Sequence, residues 1–436
     1  MRTWLQILSF QFILWCAISC TPAKQTMTPS MDFKKQIAKL GEPMPKTDTF
    51  LANLLNDHSQ YFDSLLSNND TWQIQIIYTQ INRNQRNKPS FTHFYYNVNP
   101  SHYFYPASTV KLPAAVLALQ KLNELKVKGL DKNTTMITEA ESEGQTKVYN
   151  DPTSADGRPT IAHYIKKILL VSDNDAFNRL YEFLGQEYLN QALALKGYDH
   201  TEIIHRLDIV LSEEQNRYTN PVCFIDTTSK TIYQQSLIKS ALSYKQQDIK
   251  MGKGYYSKGQ LVQEPFDFSK KNKLALTDLH SILQAVLFPS ALRKKQRFNL
   301  TEDDYRFLWK YMSMYPRESD YPAYDSTYND AYVKFLLYGA EDPVSPHVRI
   351  FNKVGDAYGF LIDAAYIADF ENNIEFLLSA VIHCNPDEIY NDDKYAYQEV
   401  GLPFMKHLGE VIYEYEKTRN RKHLPDLSDF KMSYGQ

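Results

Sequence analysis

The sequence predicts an α+β protein in which an antiparallel sheet of about five strands is flanked by helices and interrupted by an inserted all-helical lobe. Alternating apolar and polar residues indicate strands near residues 72–98 and again between residues 347 and 383. Helical periodicity prevails between these groups, from about residue 110 to residue 315. A single sheet built from both ends of the chain, with the helices inserted between its two halves, satisfies this order.

The predicted domain begins with one helical segment and two strands. Apolar residues recur at helical spacing over residues 48–66, and Trp72 to Tyr78 alternates like a strand. A polar turn at residues 82–84 then leads to a second strand, Thr92 to Val98.

Helices dominate the middle of the chain. The first, Lys111 to Leu125, has an apolar face, and Pro113 is compatible with its first turn. Five further helices are predicted at residues 160–170, 173–185, 187–196, 276–288 and 302–313.

The C-terminal part of the chain returns to the sheet. Strands are predicted at His347 to Lys353, Ile362 to Phe370 and Ile374 to His383, and a final helix at Tyr397 to Thr418. An α/β lobe would thus comprise residues 48–107 and 340–436, and a helical lobe residues 108–339. Within the helical lobe, residues 213–272 form an insertion that is polar, rich in aromatic residues and predicted to contain a hairpin around Asp226 to Lys230.

Composition excludes several classes of function. The formal net charge is −3 and no basic block stands out, so nucleic acid is not an expected partner. The chain has four cysteines and neither a CxxC nor an HExxH sequence, so neither a metal nor another cofactor is expected. Cys223 and Cys384 could form one disulfide in an oxidising compartment or remain two free thiols.

The N-terminus predicts export. Arg2 precedes an apolar stretch from Trp4 to Ile18, and small residues lead to Cys20, which is typical of a signal peptide over residues 1–20. The ending resembles a bacterial lipobox, in which Cys20 is lipidated and anchors the protein to a membrane on the periplasmic or cell-envelope side; a plain signal peptide is the alternative. Residues 21–47, rich in Thr, Pro, Lys and Met, are interpreted as a flexible tether.

The first candidate catalytic sequence is Ser108-Thr109-Val110-Lys111, which follows Pro106 and opens an apolar helix. Unsatisfied backbone N–H groups surround a serine at a helix N-terminus, and Lys111 lies one turn later on the same face. A desolvated lysine can act as the base for such a serine. A simple helix cap is the alternative, since two other S-x-x-K sequences begin at Ser236 and Ser428.

Two further short sequences lie at the ends of predicted elements, where their side chains could take part in the same chemistry. Ser172-Asp173-Asn174 lies between two predicted helices, where a hydroxyl can pass on a proton and an amide can bind substrate. Lys353-Val354-Gly355 lies at the end of a predicted strand, where a lysine attracts an anionic substrate and a glycine permits close approach to the backbone.

Together the three sequences resemble the class A serine β-lactamase family and the wider group of penicillin-recognising enzymes. The resemblance covers roughly residues 48–212 and 273–418. It implies a β-lactamase/transpeptidase-like fold and an acyl-enzyme on Ser108, with the oxyanion held by backbone N–H groups. Lys111 would act as base, Ser172 would pass the proton to the leaving nitrogen, and the substrate-binding residues would be Asn174, Lys353 and Gly355.

The sequence also departs from this family. Arg206-Leu207-Asp208 occupies the position of the omega loop, with Asp208 where the family has a glutamate that activates the hydrolytic water. Because Asp is one methylene shorter, deacylation is expected to be impaired. Val354 replaces the usual hydroxyl residue, and Leu361, Ile362 and Asp363 stand where an arginine often binds the β-lactam carboxylate, which predicts an apolar lining.

These observations predict an exported, monomeric serine hydrolase of the class A β-lactamase type, acting on a small β-lactam or a peptidoglycan-related amide. Lys111, or Asp208 through a water, would deprotonate Ser108, and Asp208 would then activate water. The alternatives are a D,D-peptidase or esterase, a slow-deacylating binder, and a structural lipoprotein with a relic site, which the intact first two sequences disfavour. The insertion at residues 213–272 is expected either to form a wall of the cleft or to decorate the helical lobe.

Overall fold

The computed structural model describes residues 46–244 and 247–434. The predicted signal peptide at residues 1–20, the lipidation site Cys20 and nearly all of the tether at residues 21–47 lie outside the described residues.

Over residues 46–244 and 247–434, the chain forms eleven α-helices and seventeen strands. The α-helices, in chain order, are α1 (Thr49–Asn56), α2 (Ser59–Leu66), α3 (Asn69–Trp72), α4 (Lys111–Leu125), α5 (Ile161–Val171), α6 (Asn174–Leu184), α7 (Gln186–Leu195), α8 (Glu213–Arg217), α9 (Leu276–Leu287), α10 (Glu302–Ser313) and α11 (Leu402–Thr418). The strands are β1 (Gln75–Arg83), β2 (Pro89–Tyr96), β3 (Thr135–Thr138), β4 (Thr201–Glu202), β5 (Tyr218–Thr219), β6 (Val222–Ile225), β7 (Thr231–Gln235), β8 (Ile238–Lys239), β9 (Lys250–Met251), β10 (Gly254–Ser257), β11 (Gln260–Val262), β12 (Phe266–Asp267), β13 (Lys273–Leu274), β14 (Val348–Ala357), β15 (Phe360–Asp369), β16 (Ile374–His383) and β17 (Ile389–Tyr390).

The main sheet has five antiparallel strands in the order β14-β15-β16-β1-β2. Both ends of the chain therefore contribute to it, as the sequence predicts. β15 and β16 are buried on both faces because α9 packs on one face of the sheet and α11 on the other. This explains why their sequences are nearly continuous apolar runs.

The helical lobe is organised around α4. Residues Lys111–Leu122 of this helix are buried on every side, and α5, α6, α7 and α9 pack against it. A helix that is apolar on all sides belongs to the centre of a lobe, because no face of it is compatible with water. The sequence predicts its bounds, Lys111 to Leu125, correctly.

Three expectations about local structure are wrong. The single helix predicted over residues 48–66 is two helices, α1 and α2, because the chain turns at His58, whose Nδ1 lies 2.9 Å from the Leu54 carbonyl. The lobe predicted as all-helical also contains short strands, of which β3, β6 and β7 form a three-stranded sheet. The second strand, predicted at Thr92 to Val98, is Pro89–Tyr96, and residues 97–106 are irregular, since Pro100 and Pro106 lack the N–H groups that a strand needs.

The insertion packs partly behind the segment that carries Ser108. The hairpin predicted around Asp226 to Lys230 is present as β6 and β7. Farther along the insertion, the rings of Phe266 and Phe268 lie 5.3 and 5.4 Å from that of Tyr358, between β14 and β15. Phe268 is fully buried, so this part of the insertion extends the core rather than decorating the surface.

The described part of the chain contains no disulfide, no metal site and no helix able to span a membrane. Cys223 and Cys384 are free thiols, the second of the two alternatives given above. Over residues 46–244 and 247–434, no group of three or more His, Cys, Asp or Glu side chains is arranged to hold a metal ion. In the same part of the chain, no helix combines the length and the apolar character needed to cross a bilayer.

Candidate active site

Ser108 lies in a 3-10 turn, Ala107–Val110, that runs directly into α4. Ala107 adopts a left-handed backbone with φ of 47°, which is rare for a residue with a β-carbon. The Thr109 hydroxyl fixes the turn by donating to the Pro106 carbonyl at 2.6 Å. Ala107 and Thr109 are buried, whereas Ser108 is only half-buried, so the turn presents the Ser108 hydroxyl to the outside.

Lys111, the first residue of α4, is fully buried beneath Ser108. Its Nζ donates to Ser108 Oγ at 2.8 Å and to Asn174 Oδ1 at 2.7 Å. It also contacts the carbonyl of Ser172 and, at 3.2 Å, the Ser172 hydroxyl. The Lys111 amino group therefore connects Ser108 to Ser172 and Asn174.

The environment of Lys111 favours its neutral form. Burial lowers the pKa of Lys111 well below its usual value, and the nearby charge of Lys353 lowers it further. Asp173, Asp356 and Asp208 act in the opposite direction. A lysine with a lowered pKa, in hydrogen-bond contact with a serine hydroxyl, can accept the proton of that hydroxyl.

Ser172 and Asp173 alone connect α5 to α6. Ser172 caps the end of α5 in a left-handed conformation with φ of 62°, and Asp173 then caps α6 by accepting from the Ala176 N–H at 2.7 Å. Asn174 begins α6. Two consecutive caps thus fix all three residues, which aligns the Ser172 hydroxyl and the Asn174 amide with Lys111.

Lys353 approaches Ser172 from the opposite side, on strand β14. Its Nζ donates to the Ser172 hydroxyl and to the Val354 carbonyl, both at 2.8 Å. Burial lowers the pKa of Lys353 to about 7. The Ser172 hydroxyl therefore lies between two lysines, in a position to move a proton toward a leaving group above Ser108.

Gly355 lets β14 and the serine turn come into contact. A β-carbon at Gly355 would lie 2.8 Å from the Pro106 carbonyl oxygen and 2.9 Å from the Ser108 nitrogen, closer than real contacts allow. Only glycine permits this approach.

The same approach brings two backbone N–H groups together. β14 is an edge strand, and the two-residue turn Tyr358-Gly359 makes Ala357 and Phe360 a hydrogen-bonded pair. By alternation, the N–H of Asp356 then points away from β15, toward the open edge where Ser108 lies. The Ser108 and Asp356 N–H groups can bind an oxyanion.

Buried polar groups hold the segment Arg206-Leu207-Asp208, which the sequence places at the position of the omega loop. Arg206 pairs with Glu182 at 3.0 Å. Asn178 accepts from the Leu207 N–H and donates to the Leu207 carbonyl, both at 2.9 Å. The next residue, Asp208, is exposed and left-handed with φ of 54°, and its carboxylate is 3.5 Å from the Asn174 amide nitrogen. Asn174 therefore lies between Asp208 and Lys111.

The structure brings together Ser108, Lys111, Ser172, Asn174 and Lys353 through direct hydrogen bonds, with Gly355 against the serine turn. Within the described residues, the one hydrogen-bond contact between Asp208 and this group is the 3.5 Å contact with Asn174. Asn178 and Asp356 are absent from the set of residues predicted from the sequence. Spacing could have indicated Asn178, since it follows Asn174 by one helical turn, on the same face of α6; the position of Asp356 depends on strand pairing.

The apolar lining predicted for the carboxylate of a β-lactam is wrong. Val354, Leu361 and Ile362 are buried in the two hydrophobic cores, because they point into the sheet's packed faces. Asp363 is buried too and accepts from the Leu336 N–H at 3.0 Å and the Asn352 amide at 2.9 Å. The residue exposed at the end of this strand pair is Asp356.

The chain was compared with solved structures, with curated proteins and with protein-family models. Among solved structures, the chain is similar to a β-lactamase from Sphaerobacter thermophilus (11% identity, TM-score 0.46, covering 86% of this chain and 100% of that one). It is also similar to a class A β-lactamase from Clostridium kluyveri (14% identity, TM-score 0.46, covering 82% of this chain and 99% of that one). A third similar structure is that of PBP-A (16% identity, TM-score 0.45, covering 85% of this chain and 99% of that one). The curated proteins contain no match.

A family model described as "Beta-lactamase enzyme family" matches residues 58–302, which is more than half of the chain. The matched region contains Ser108, Lys111, Ser172, Asn174 and Asp208 and ends before Lys353. The five-stranded sheet, the helical lobe and the match together show that the chain belongs to the beta-lactamase enzyme family.

Proposed function

We propose that the protein is a serine hydrolase that opens a β-lactam or a related amide through an acyl-enzyme on Ser108. The observation that carries this proposal is the fully buried Lys111, whose Nζ is 2.8 Å from Ser108 Oγ and whose pKa is lowered by burial. Membership in the β-lactamase family supports a β-lactam as the substrate class.

Acylation follows from the contacts of Ser108. Neutral Lys111 accepts the hydroxyl proton while Ser108 Oγ bonds to the substrate carbonyl carbon. The Ser108 and Asp356 N–H groups hold the oxyanion. When the tetrahedral intermediate collapses, the C–N bond breaks, and the proton passes from Lys111 through the Ser172 hydroxyl to the leaving nitrogen.

Deacylation would use Asp208. Its carboxylate accepts a proton from water, and the hydroxide oxygen bonds to the acyl carbon. The bond from that carbon to Ser108 Oγ breaks, and the proton held by Asp208 passes through Lys111 to Ser108 Oγ. The left-handed backbone of Asp208 and its 3.5 Å contact with Asn174 keep the carboxylate on the side of Lys111.

The exposure of Asp208 favours a second candidate function. A base in open water competes with solvent and holds its water less firmly than one in a closed site. A slow-deacylating β-lactam binder, or a peptidase or esterase acting on peptidoglycan-related substrates, would need the acylation residues but not a fast Asp208.

Turnover and mass measurements separate these functions. The purified protein is mixed with a chromogenic cephalosporin and with a fluorescent penicillin, and product and intact mass are followed together. Rapid turnover supports the lactamase, and a persistent adduct without turnover supports the binder. Absence of both would contradict β-lactam action and favour a peptide or ester substrate. Ser108→Ala should abolish either reaction, and Ser236→Ala, in another S-x-x-K sequence, serves as the matched control.

The cellular location is part of the same proposal. Arg2, the apolar stretch to Ile18 and the small residues before Cys20 support export and lipid anchoring. Cys20→Ser should release the protein from the membrane fraction and remove a lipid mass from its N-terminus. An unchanged membrane fraction and mass would contradict the anchor.

A further inference from the structure

Asp356 is an acidic residue at the point where the reacting carbonyl would bind. Its N–H faces the open edge of β14, next to the N–H of Ser108. A residue whose backbone holds the oxyanion has its side chain only about 5 Å from the groups attached to that carbonyl. The side chain of Asp356 is exposed, and within residues 46–244 and 247–434 it accepts no hydrogen bond and forms no ion pair.

Little positive charge acts on Asp356 within the described residues. The cations of this part of the chain that act electrostatically on Asp356 are Lys353 and Lys111, and burial lowers the pKa of both, to about 7 for Lys353. Two more carboxylates, Asp173 and Asp208, act on Lys111. Only Asp173 of these has an ion-pair partner within the described chain, Lys167 at 3.6 Å. The mouth of the site therefore has an excess of negative charge.

A row of three tyrosines runs along the same side of the site. The ring of Tyr328 lies 5.1 Å from that of Tyr324 and 4.9 Å from that of Tyr332. Tyr324 is within electrostatic range of Asp173, and Tyr332 within that of Asp356. Tyr332 is 40% exposed. Aromatic faces beside carboxylates form a favourable environment for organic cations.

We propose that the natural substrate of Ser108 carries a cationic group, an ammonium or guanidinium, close to its reacting carbonyl, and that the Asp356 carboxylate and the Tyr332 ring bind this group. The inference rests on the proposed acylation of Ser108 and specifies the substrate class of that site. A substrate with a carboxylate in this place would meet a like charge instead of a partner. The cleft walls raise the pKa of Asp356 by partial desolvation, and a bound cation would lower it again.

Three forms of one penicillin test the proposal: the free carboxylate, its methyl ester and its 2-(dimethylamino)ethyl ester, which is cationic at neutral pH. The acylation rate of each is measured by intact mass. The wild type should react about tenfold or more faster with the cationic ester than with the free acid, the methyl ester lying between them. Each variant is judged by its ratios to its own methyl-ester rate, which cancels any partial loss of folded protein.

Asp356→Asn should reduce the ratio between cationic ester and free acid to about threefold or less, and Asp356→Lys should invert it. Tyr332→Leu should lower the relative rate of the cationic ester alone. Glu371→Gln, at the opposite end of the sheet, is the matched control and should keep the wild-type ratio. A free acid that reacts fastest with the wild type, or a ratio unchanged in Asp356→Asn, would overturn the inference alone. Formation of neither an adduct nor a hydrolysis product with any of the three probes would overturn the proposed function and the inference with it.

Discussion

Lys111 Nζ donates to Ser108 Oγ at 2.8 Å from a position that water does not reach. In this position the lysine is close enough to accept the serine proton and buried enough to lose its own. The other three acceptors around it, two on Ser172 and one on Asn174, hold it in place. The proposed reaction depends on this contact.

Replacing the base should stop acylation without removing the helix. Lys111→Met keeps the length and the buried apolar stem of the side chain but cannot accept a proton. We expect the acylation rate to fall by about 10²–10⁴-fold, the usual contribution of a positioned base. The measurement is penicillin adduct formation followed by intact mass. Lys239→Met, in the S-x-x-K sequence that begins at Ser236, is the control, and equal losses in both variants would contradict a specific role for Lys111.

Gly355→Ala should displace the serine turn. Its β-carbon would meet backbone atoms of Pro106 and Ser108 at 2.8 and 2.9 Å, and backbone cannot rotate away as a side chain can. We expect acylation to drop by about 10²-fold, since a displacement near 1 Å has this effect on a positioned group.

Gly129→Ala is the control for Gly355→Ala, because it adds the same methyl group away from the site. Gly129 has φ of 82° and open space around it, so that substitution strains the backbone without touching the site. It should lower the melting temperature and leave acylation within about twofold of the wild type. Full acylation by Gly355→Ala would show that the close approach of β14 is not needed.

The length of Asp208 should limit deacylation. Asp208→Glu restores the missing methylene and should shorten the lifetime of the acyl-enzyme by up to about 10²-fold. Asp208→Asn removes the base and should prolong it. Both lifetimes are read from the decay of the adduct mass after excess penicillin is removed. If neither substitution changes the lifetime, Asp208 has no part in deacylation.

Stability should fall in mild acid because His280 is buried in its neutral form. Thr79 Oγ1 lies 2.8 Å from its Nε2 and Ser379 Oγ lies 2.8 Å from its Nδ1, and burial lowers its pKa from 6.5 to about 3. The unfolded chain therefore binds a proton between these pH values and the folded chain does not. The free energy of unfolding attributable to His280 is complete above pH 6.5 and decreases by about 1.4 kcal/mol per pH unit below it.

Denaturant unfolding at several pH values tests this expectation. His280→Gln keeps hydrogen-bonding capacity without a titratable ring and should reduce the slope below pH 6.5 by up to one proton. Burial also lowers the pKa of His93, and that of His205 and His383 to about 4, so these residues contribute to the slope in the same direction in both proteins. An identical slope in the variant would show that His280 titrates normally in the folded state.

The sequence predicts the elements whose signals are local. α4 follows from an apolar run with Pro113 in its first turn, and the contacts of Ser108 with Lys111 follow from a spacing of three residues on one helical turn. The five-stranded sheet follows from two separated groups of alternating residues.

Features that depend on packing between distant segments were missed. The role of Asp356 arises from the pairing of β14 with β15 and from the close approach of Gly355 to Ser108, neither of which a motif encodes. Val354 and Leu361 are buried because their side chains lie on the face of the sheet that packs against α11, and the sequence of one strand does not specify this face. The short strands of the helical lobe are two to five residues long, below the length at which alternation is distinct.

The most direct test of the central claim is to locate the adduct. Wild-type protein and Ser108→Ala are each treated with the fluorescent penicillin, digested and mapped by mass spectrometry. We expect one added penicillin mass on the peptide that contains Ser108 and none on the variant. A wild-type protein that neither carries the adduct nor hydrolyses the penicillin, or equal labelling of Ser108→Ala, would contradict a nucleophilic Ser108.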